Sequence, residues 1–198
     1  LLLLLVVGLL VAPATSAAQS PDDAKKERAS GLAKAGIALF KAKDYPEAIK
    51  VFRESFETFP IPVVAWNLAR CHEELEQPED AILFFSKFKE IAPSDDKKAI
   101  ADMRVERLLK RYFGHLTLNV EPVGADVRIN GDKAGSAPLK ALRLRVGTYN
   151  VEMTQPGHEP MTRVIQVAPG QQFTFSFSLT LLPAVVHIEA PETVYGLR

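Results

Sequence analysis

The groups in this chain that could hold a metal or run acid–base or nucleophilic chemistry are four histidines, one cysteine and 24 acidic side chains. His72, His115, His158 and His187 stand far apart, and none has another His, Cys or carboxylate at a metal-ligand spacing. The chain has no Gly-x-Ser-x-Gly elbow, phosphate loop or dinucleotide fingerprint. Gly124, Gly131 and Gly135 are spaced for turns between strands, not for a strand-to-helix phosphate cradle. The carboxylate pairs Glu73-Glu74 and Asp95-Asp96 fall on helix surfaces or at a helix N-terminus, where charge is solvated or opposes the helix dipole. Nothing supplies a nucleophile, a base and an orienting group together. The expectation is a non-enzyme with no cofactor and no metal. Cys71 cannot form an internal disulfide, and its setting in Asn67-Leu68-Ala69-Arg70-Cys71 reads as a buried helix position.

Charge narrows the partners. Basic and acidic residues balance at 24 each, so no long-range field steers the chain to nucleic acid or an anionic membrane. The run Arg104, Arg107, Lys110 and Arg111 is interleaved with Asp102 and Glu106 and reads as a solvated helix face. No nucleic-acid partner is expected. The chain opens with LLLLLVVGLLV followed by Ala-Pro-Ala-Thr-Ser-Ala-Ala. Eleven apolar residues fall short of the ~20 needed to cross a bilayer. They fit the hydrophobic part of a secretory signal over residues 1–18 that is truncated at its start, with small residues for cleavage around Thr15 to Ala18. The protein is therefore expected to be exported. Membrane association follows only if this signal is an uncleaved anchor or a segment outside the chain anchors it.

The elements divide near Gly114. Before it Ala, Lys, Glu and Leu dominate; after it come Val, Thr, Phe, Gly and Pro. This is a helical half joined to a β half. The helical half repeats with a 33-residue offset that relates Gly36 to Ala69, Ala48 to Ala81, Phe52 to Phe85 and Pro60 to Pro93. Helices are predicted at about 22–43, 45–58, 62–76, 78–91 and 95–112, with Asp44 and Ser94 as N-caps. Small residues let paired helices approach, the phenylalanines fill the space between them, and the prolines stop the second helices. His72 reads as a packed residue at an aromatic position.

Residues 29–93 resemble the tetratricopeptide repeat, most clearly in Leu68-Ala69, His72, Ala81, Phe85 and Pro93. The pattern departs from the family in repeat one, where Ala33 stands at the place of Trp66. The resemblance implies an α-solenoid of two helix pairs plus a capping helix over 22–112. It also implies a concave face lined by Lys34, Ile37, Phe40 and Lys41 from the first repeat and Trp66, Asn67, Arg70 and Glu74 from the second. Trp and Arg suit binding anchors; Asn can bond an extended peptide; Lys34 and Arg70 could hold a carboxylate. The third helix offers Asp96, Ala99 and Ile100 at the matching places, so a full carboxylate clamp is missing. The alternative is that Trp66 and Phe40 only pack against neighbouring elements.

In the β half, Leu116, Leu118 and Val120 alternate with polar residues, as do Leu142, Leu144 and Val146, and Phe173, Phe175 and Phe177. Asn130-Gly131 is a hairpin signal. Six or seven short strands suggest a sandwich or partial barrel. The region from 114 to 180 resembles the PEGA domain in Pro122-Val123-Gly124-Ala125, Val127, Ile129, Asn130-Gly131, Gly135, Pro138, Gly147 and Gly157. The signature Glu is replaced by Val123. Residues 181–198 are a tail or the start of a further β-domain, since Val185 to Pro191 loosely repeats Leu116 to Pro122. The fold class expected is α + β multidomain, an α-solenoid followed by a small antiparallel β-sandwich. The two resemblances imply an exported scaffold or adaptor in the periplasm, envelope or surface of a bacterium, with a protein or peptide partner. Two alternatives stand beside it. One is binding of cell-wall glycan, such as peptidoglycan, through Thr174, Ser176, Ser178 and Tyr149. The other is a regulatory or substrate-binding piece of a larger enzyme.

Overall fold

The computed structural model describes residues 20–183. Residues 1–18, read above as a secretory signal, and residues 184–198 with His187 lie outside the described residues. The chain forms two compact units, one ending at Ala101 and one beginning at Asp102.

The first unit is built from α1 (Pro21–Lys41), α2 (Tyr45–Thr58), α3 (Pro62–Glu74), α4 (Pro78–Ile91) and the first turns of α5 (Asp95–Tyr112). Each of α1 to α4 carries a proline in its first two positions, where no helical N–H is lost. Ser20 caps α1 by accepting a hydrogen bond from the Asp23 N–H at 3.1 Å, and Asp44 caps α2 through the Glu47 N–H. α1 and α3 end alike. Lys43 and Glu76, one repeat apart, adopt left-handed φ angles of 63° and 53°. The Asp44 N–H donates to the Leu39 carbonyl at 3.0 Å, and the Gln77 N–H to the His72 carbonyl at 2.9 Å. This is the Schellman closure, formed twice at the same register.

Packing follows the small residues. α1 lies on α2 and α3 on α4, and α2 packs in turn on α3. A Cβ at Gly36 would sit 2.5 Å from the Phe52 ring, so only glycine allows α1 this close to α2. Phe52, Phe85, Leu68, Ala48, Ala69 and Ala81 are fully buried. The arrangement is that of two TPR-like helix pairs followed by a further helix.

The second unit holds seven strands: β1 (Phe113–Glu121), β2 (Asp126–Ile129), β3 (Asp132–Ser136), β4 (Leu139–Arg145), β5 (Gly147–Thr154), β6 (Met161–Val167) and β7 (Gln172–Ser178). They form a three-stranded sheet, β4-β1-β7, and a four-stranded sheet, β3-β2-β5-β6. Asn130 and Gly131 make the two-residue β2–β3 turn with φ of 51° and 89°, the left-handed pair a hairpin of this length favours. Leu116, Leu118 and Val120 from one sheet meet Val127, Val151 and Met153 from the other in a common core. Phe173, Phe175 and Phe177 are half-buried against it and stack in near-parallel steps of 6.4 and 6.2 Å. One pairing is not antiparallel: β7 runs parallel to β1, Leu116 beside Phe173 and Val120 beside Phe177. The strands between them provide the long crossover a parallel pair requires.

Candidate functional site

The groove residues expected from the sequence fall into separate settings, all within the helical unit. Trp66 projects from α3 onto α4, edge-on to Phe85 at 5.2 Å and to Phe88 at 5.1 Å. Beside it opens a groove of about 500 Å³. Ile61, Pro62 and Val63 line it at the start of α3, Phe88 from α4, and Pro93, Lys97 and Ile100 from the approach to α5 and its first turns. The surface is apolar except for Lys97. Val63 and Ile100 keep 46% and 44% of their surface in water, so large aliphatic groups are left uncovered at this rim. No close packing joins α4 to α5 in the way α2 is joined to α3.

Arg70 lies elsewhere. Its guanidinium stacks over Phe40, 4.8 Å from the ring centroid, and Phe40 in turn meets Tyr45 edge-on at 5.5 Å. Loss of water around the Tyr45 hydroxyl raises its pKa, and the charge of Glu74 together with a hydrogen bond to it raises it further. Phe40, Tyr45, Arg70 and Glu74 thus form one cluster that ties α1 and the start of α2 to α3. The Asn67 amide donates to the Val63 carbonyl of its own helix at 2.9 Å. Lys34 lines a polar depression with Asp23, Lys26, Glu27 and Ser30. Lys41 is exposed and Ile37 is partly buried. The structure therefore brings Phe40, Arg70 and Glu74 together and sets Trp66 in a groove of its own.

Sequence reasoning did not find Val63, Phe88 and Lys97 as groove residues, nor Tyr45 as the partner of Glu74. A signal for Phe88 was present. The 33-residue offset sets Phe88 against Ser55 and Trp66 against Ala33, so repeat two gains two large rings where repeat one has small residues.

The remaining polar groups have structural surroundings. Cys71 is buried, which pushes its thiol up to about 12; Glu74 also raises it, while the Arg70 charge lowers it. His72 packs as an aromatic, stacked on Phe84 at 5.5 Å with the planes 4° apart. Its Nδ1 hydrogen-bonds Gln77 Oε1 at 2.7 Å. Phe56 meets Phe84 edge-on, and Lys87 lies over both rings. Among the described residues no three His, Cys, Asp or Glu side chains gather as metal ligands, and no helix is long and apolar enough to cross a membrane. Arg107, Lys110 and Arg111 lie along α5 with Glu106, which pairs with Lys110 at 2.6 Å.

In the β unit the residues read as a glycan face divide between the two sheets. Thr174, Ser176 and Ser178 are exposed, and Asn119 reaches Ser176 at 3.3 Å. Tyr149 belongs to the other sheet, packs against the core, and donates its hydroxyl to the Arg145 carbonyl at 2.8 Å. Side-chain alternation shows which residues share a strand face, but not which strands share a sheet.

The PEGA domain family model matches residues 113–183, which contain all seven strands. Among solved structures the chain is similar to the "Second TPR of Spaghetti (RPAP3) bound to HSP90 peptide SRMEEVD", at 18% identity and a TM-score of 0.38. That likeness covers 43% of this chain and 86% of the other. No curated protein matches the chain.

Proposed function

We propose that this protein is an exported, non-catalytic scaffold or adaptor of the bacterial envelope. Its helical unit holds a peptide or partner protein, and its PEGA-like β unit attaches or spaces that partner within the envelope. The observation that carries the binding reading is the apolar groove beside Trp66, lined by α3, α4 and α5 and rimmed by the exposed Val63 and Ile100. Such grooves take up apolar side chains of a partner. Export rests on the composition of residues 1–18.

Two measurements test it. A photo-crosslinking side chain at Val63 should capture a partner in intact cells, and Val63→Glu with Ile100→Glu should abolish that capture with helicity unchanged by circular dichroism. Equal capture by the double variant defeats the groove reading. A fusion of the protein's full reading frame to alkaline phosphatase, which is active only after export, should be active in bacteria; an inactive fusion defeats export.

A further inference from the structure

The groove carries one charge. Lys97 is its only ionic lining residue, and it makes no ion pair with the described residues. The next residue, Lys98, is already paired, with Asp95 at 3.2 Å. An unpaired ammonium at the edge of an apolar surface favours an acidic neighbour on whatever fills that surface, and disfavours a basic one. The floor is aromatic, Trp66 against Phe88, and suits a large aliphatic or aromatic group. A groove of about 500 Å³ has room for large side chains of a partner segment.

We propose that the Trp66 groove takes a peptide segment with a large apolar anchor and a carboxylate close to it. The anchor fills the space over Trp66 and Phe88, and the carboxylate pairs with Lys97. This rests on the peptide-binding reading above and adds the chemistry of the ligand.

Trp66 is the only tryptophan in the chain and lines the groove, so its emission responds to a ligand bound there. The full chain is titrated with three capped peptides that lack tryptophan: Ser-Leu-Phe-Glu-Ser, Ser-Leu-Phe-Lys-Ser and Ser-Ser-Ser-Glu-Ser. The first should shift the emission with saturation, the second should bind about fivefold more weakly, and the third should leave it unmoved, since a partly exposed ion pair is worth up to about 1 kcal/mol and repulsion replaces it in the second. Lys97→Glu, a surface change that spares the fold, should reverse the order of the first two. Equal binding of the first two peptides, or an unchanged order in Lys97→Glu, overturns the proposal while the groove reading stands. Saturation by dodecanoate with no response to the first peptide overturns it in favour of a lipid. If none of these probes moves the emission the proposal falls, and the crosslink at Val63 then decides the broader reading.

Discussion

The two helix pairs share one backbone plan and use it differently. In the first, α1 closes on α2 through small residues: Gly36 against the Phe52 ring, Ala33 buried, and Ser55 buried with its hydroxyl donating to the Ala29 carbonyl at 2.7 Å. Moving 33 residues along replaces these with Ala69, Trp66 and Phe88. The second pair therefore presents two large rings where the first presents a methyl and a hydroxyl. α3 packs on α2, but no close packing joins α5 to α4, so the second pair bears an apolar groove beside its rings. A repeated frame sets where helices lie; the side chains a repeat presents, and how the next helix packs on them, decide whether it closes or leaves a groove.

The comparison breaks if the two buried phenylalanines are not equivalent. Phe52→Ala and Phe85→Ala should each cost about 3–5 kcal/mol, the range for emptying a fully buried ring site, measured by urea unfolding. Phe85→Ala should also shift Trp66 emission in the folded state, because it removes one of the two rings Trp66 touches. Phe52→Ala should leave that emission in place. An emission change of equal size in both variants would mean that the pairs share one core, and the contrast between them would fail.

Gly36 offers the next largest effect. Gly36→Ala places a Cβ within 2.5 Å of a fully buried ring, and overpacking of this kind costs about 1–3 kcal/mol. At the matching place repeat two already carries Ala69, fully buried. Ala69→Gly should cost about 1–2 kcal/mol, from backbone entropy together with the loss of a buried methyl. If Gly36→Ala stabilises the protein, the α1–α2 approach is looser than described. The labelling rate of the Cys71 thiol gives an independent readout. The thiol is buried and held neutral at ordinary pH by its raised pKa, so it should react only as fast as the helical unit opens.

Much of this frame was legible before the structure. Four landmark pairs at one offset located the helices to within two residues, and the alternation of Leu116, Leu118 and Val120 identified their core face, because both signals depend on local periodicity. The groove was legible at Trp66 and at Ile100. Its other walls come from the start of α3, from α4 and from the approach to α5, and nothing in local pattern says that Phe88 and Lys97 meet beside Trp66. Arg70 was legible as a residue type suited to an anchor, but its stacking on Phe40, from another helix, was not. The parallel β1–β7 pair was likewise invisible, since strand patterns carry face but not direction.

Ser55 gives a smaller effect. Its hydroxyl donates to a carbonyl that lies within α1 and also has the helix ladder as a partner, so Ser55→Ala removes a donor and strands no acceptor. A loss of about 1 kcal/mol is expected. A loss several times larger would mean that this hydrogen bond, more than the Gly36–Phe52 approach, holds the first pair shut.

The smallest effect tests the equivalence of the two repeats most directly. Lys43 and Glu76 occupy left-handed positions that an ordinary side chain adopts at a cost, and glycine adopts freely. Against this gain stands the greater freedom glycine has in the unfolded chain, so Lys43→Gly and Glu76→Gly should each stabilise by about 0.5–1 kcal/mol. Both residues close helices with the same pair of backbone hydrogen bonds. Equal gains would show that the closures are energetically alike, leaving side-chain volume at Trp66 and Phe88 as the difference between the repeats. A gain at Lys43 alone would place part of that difference in the backbone turn, where Glu76 would then be stabilised by contacts its replacement removes.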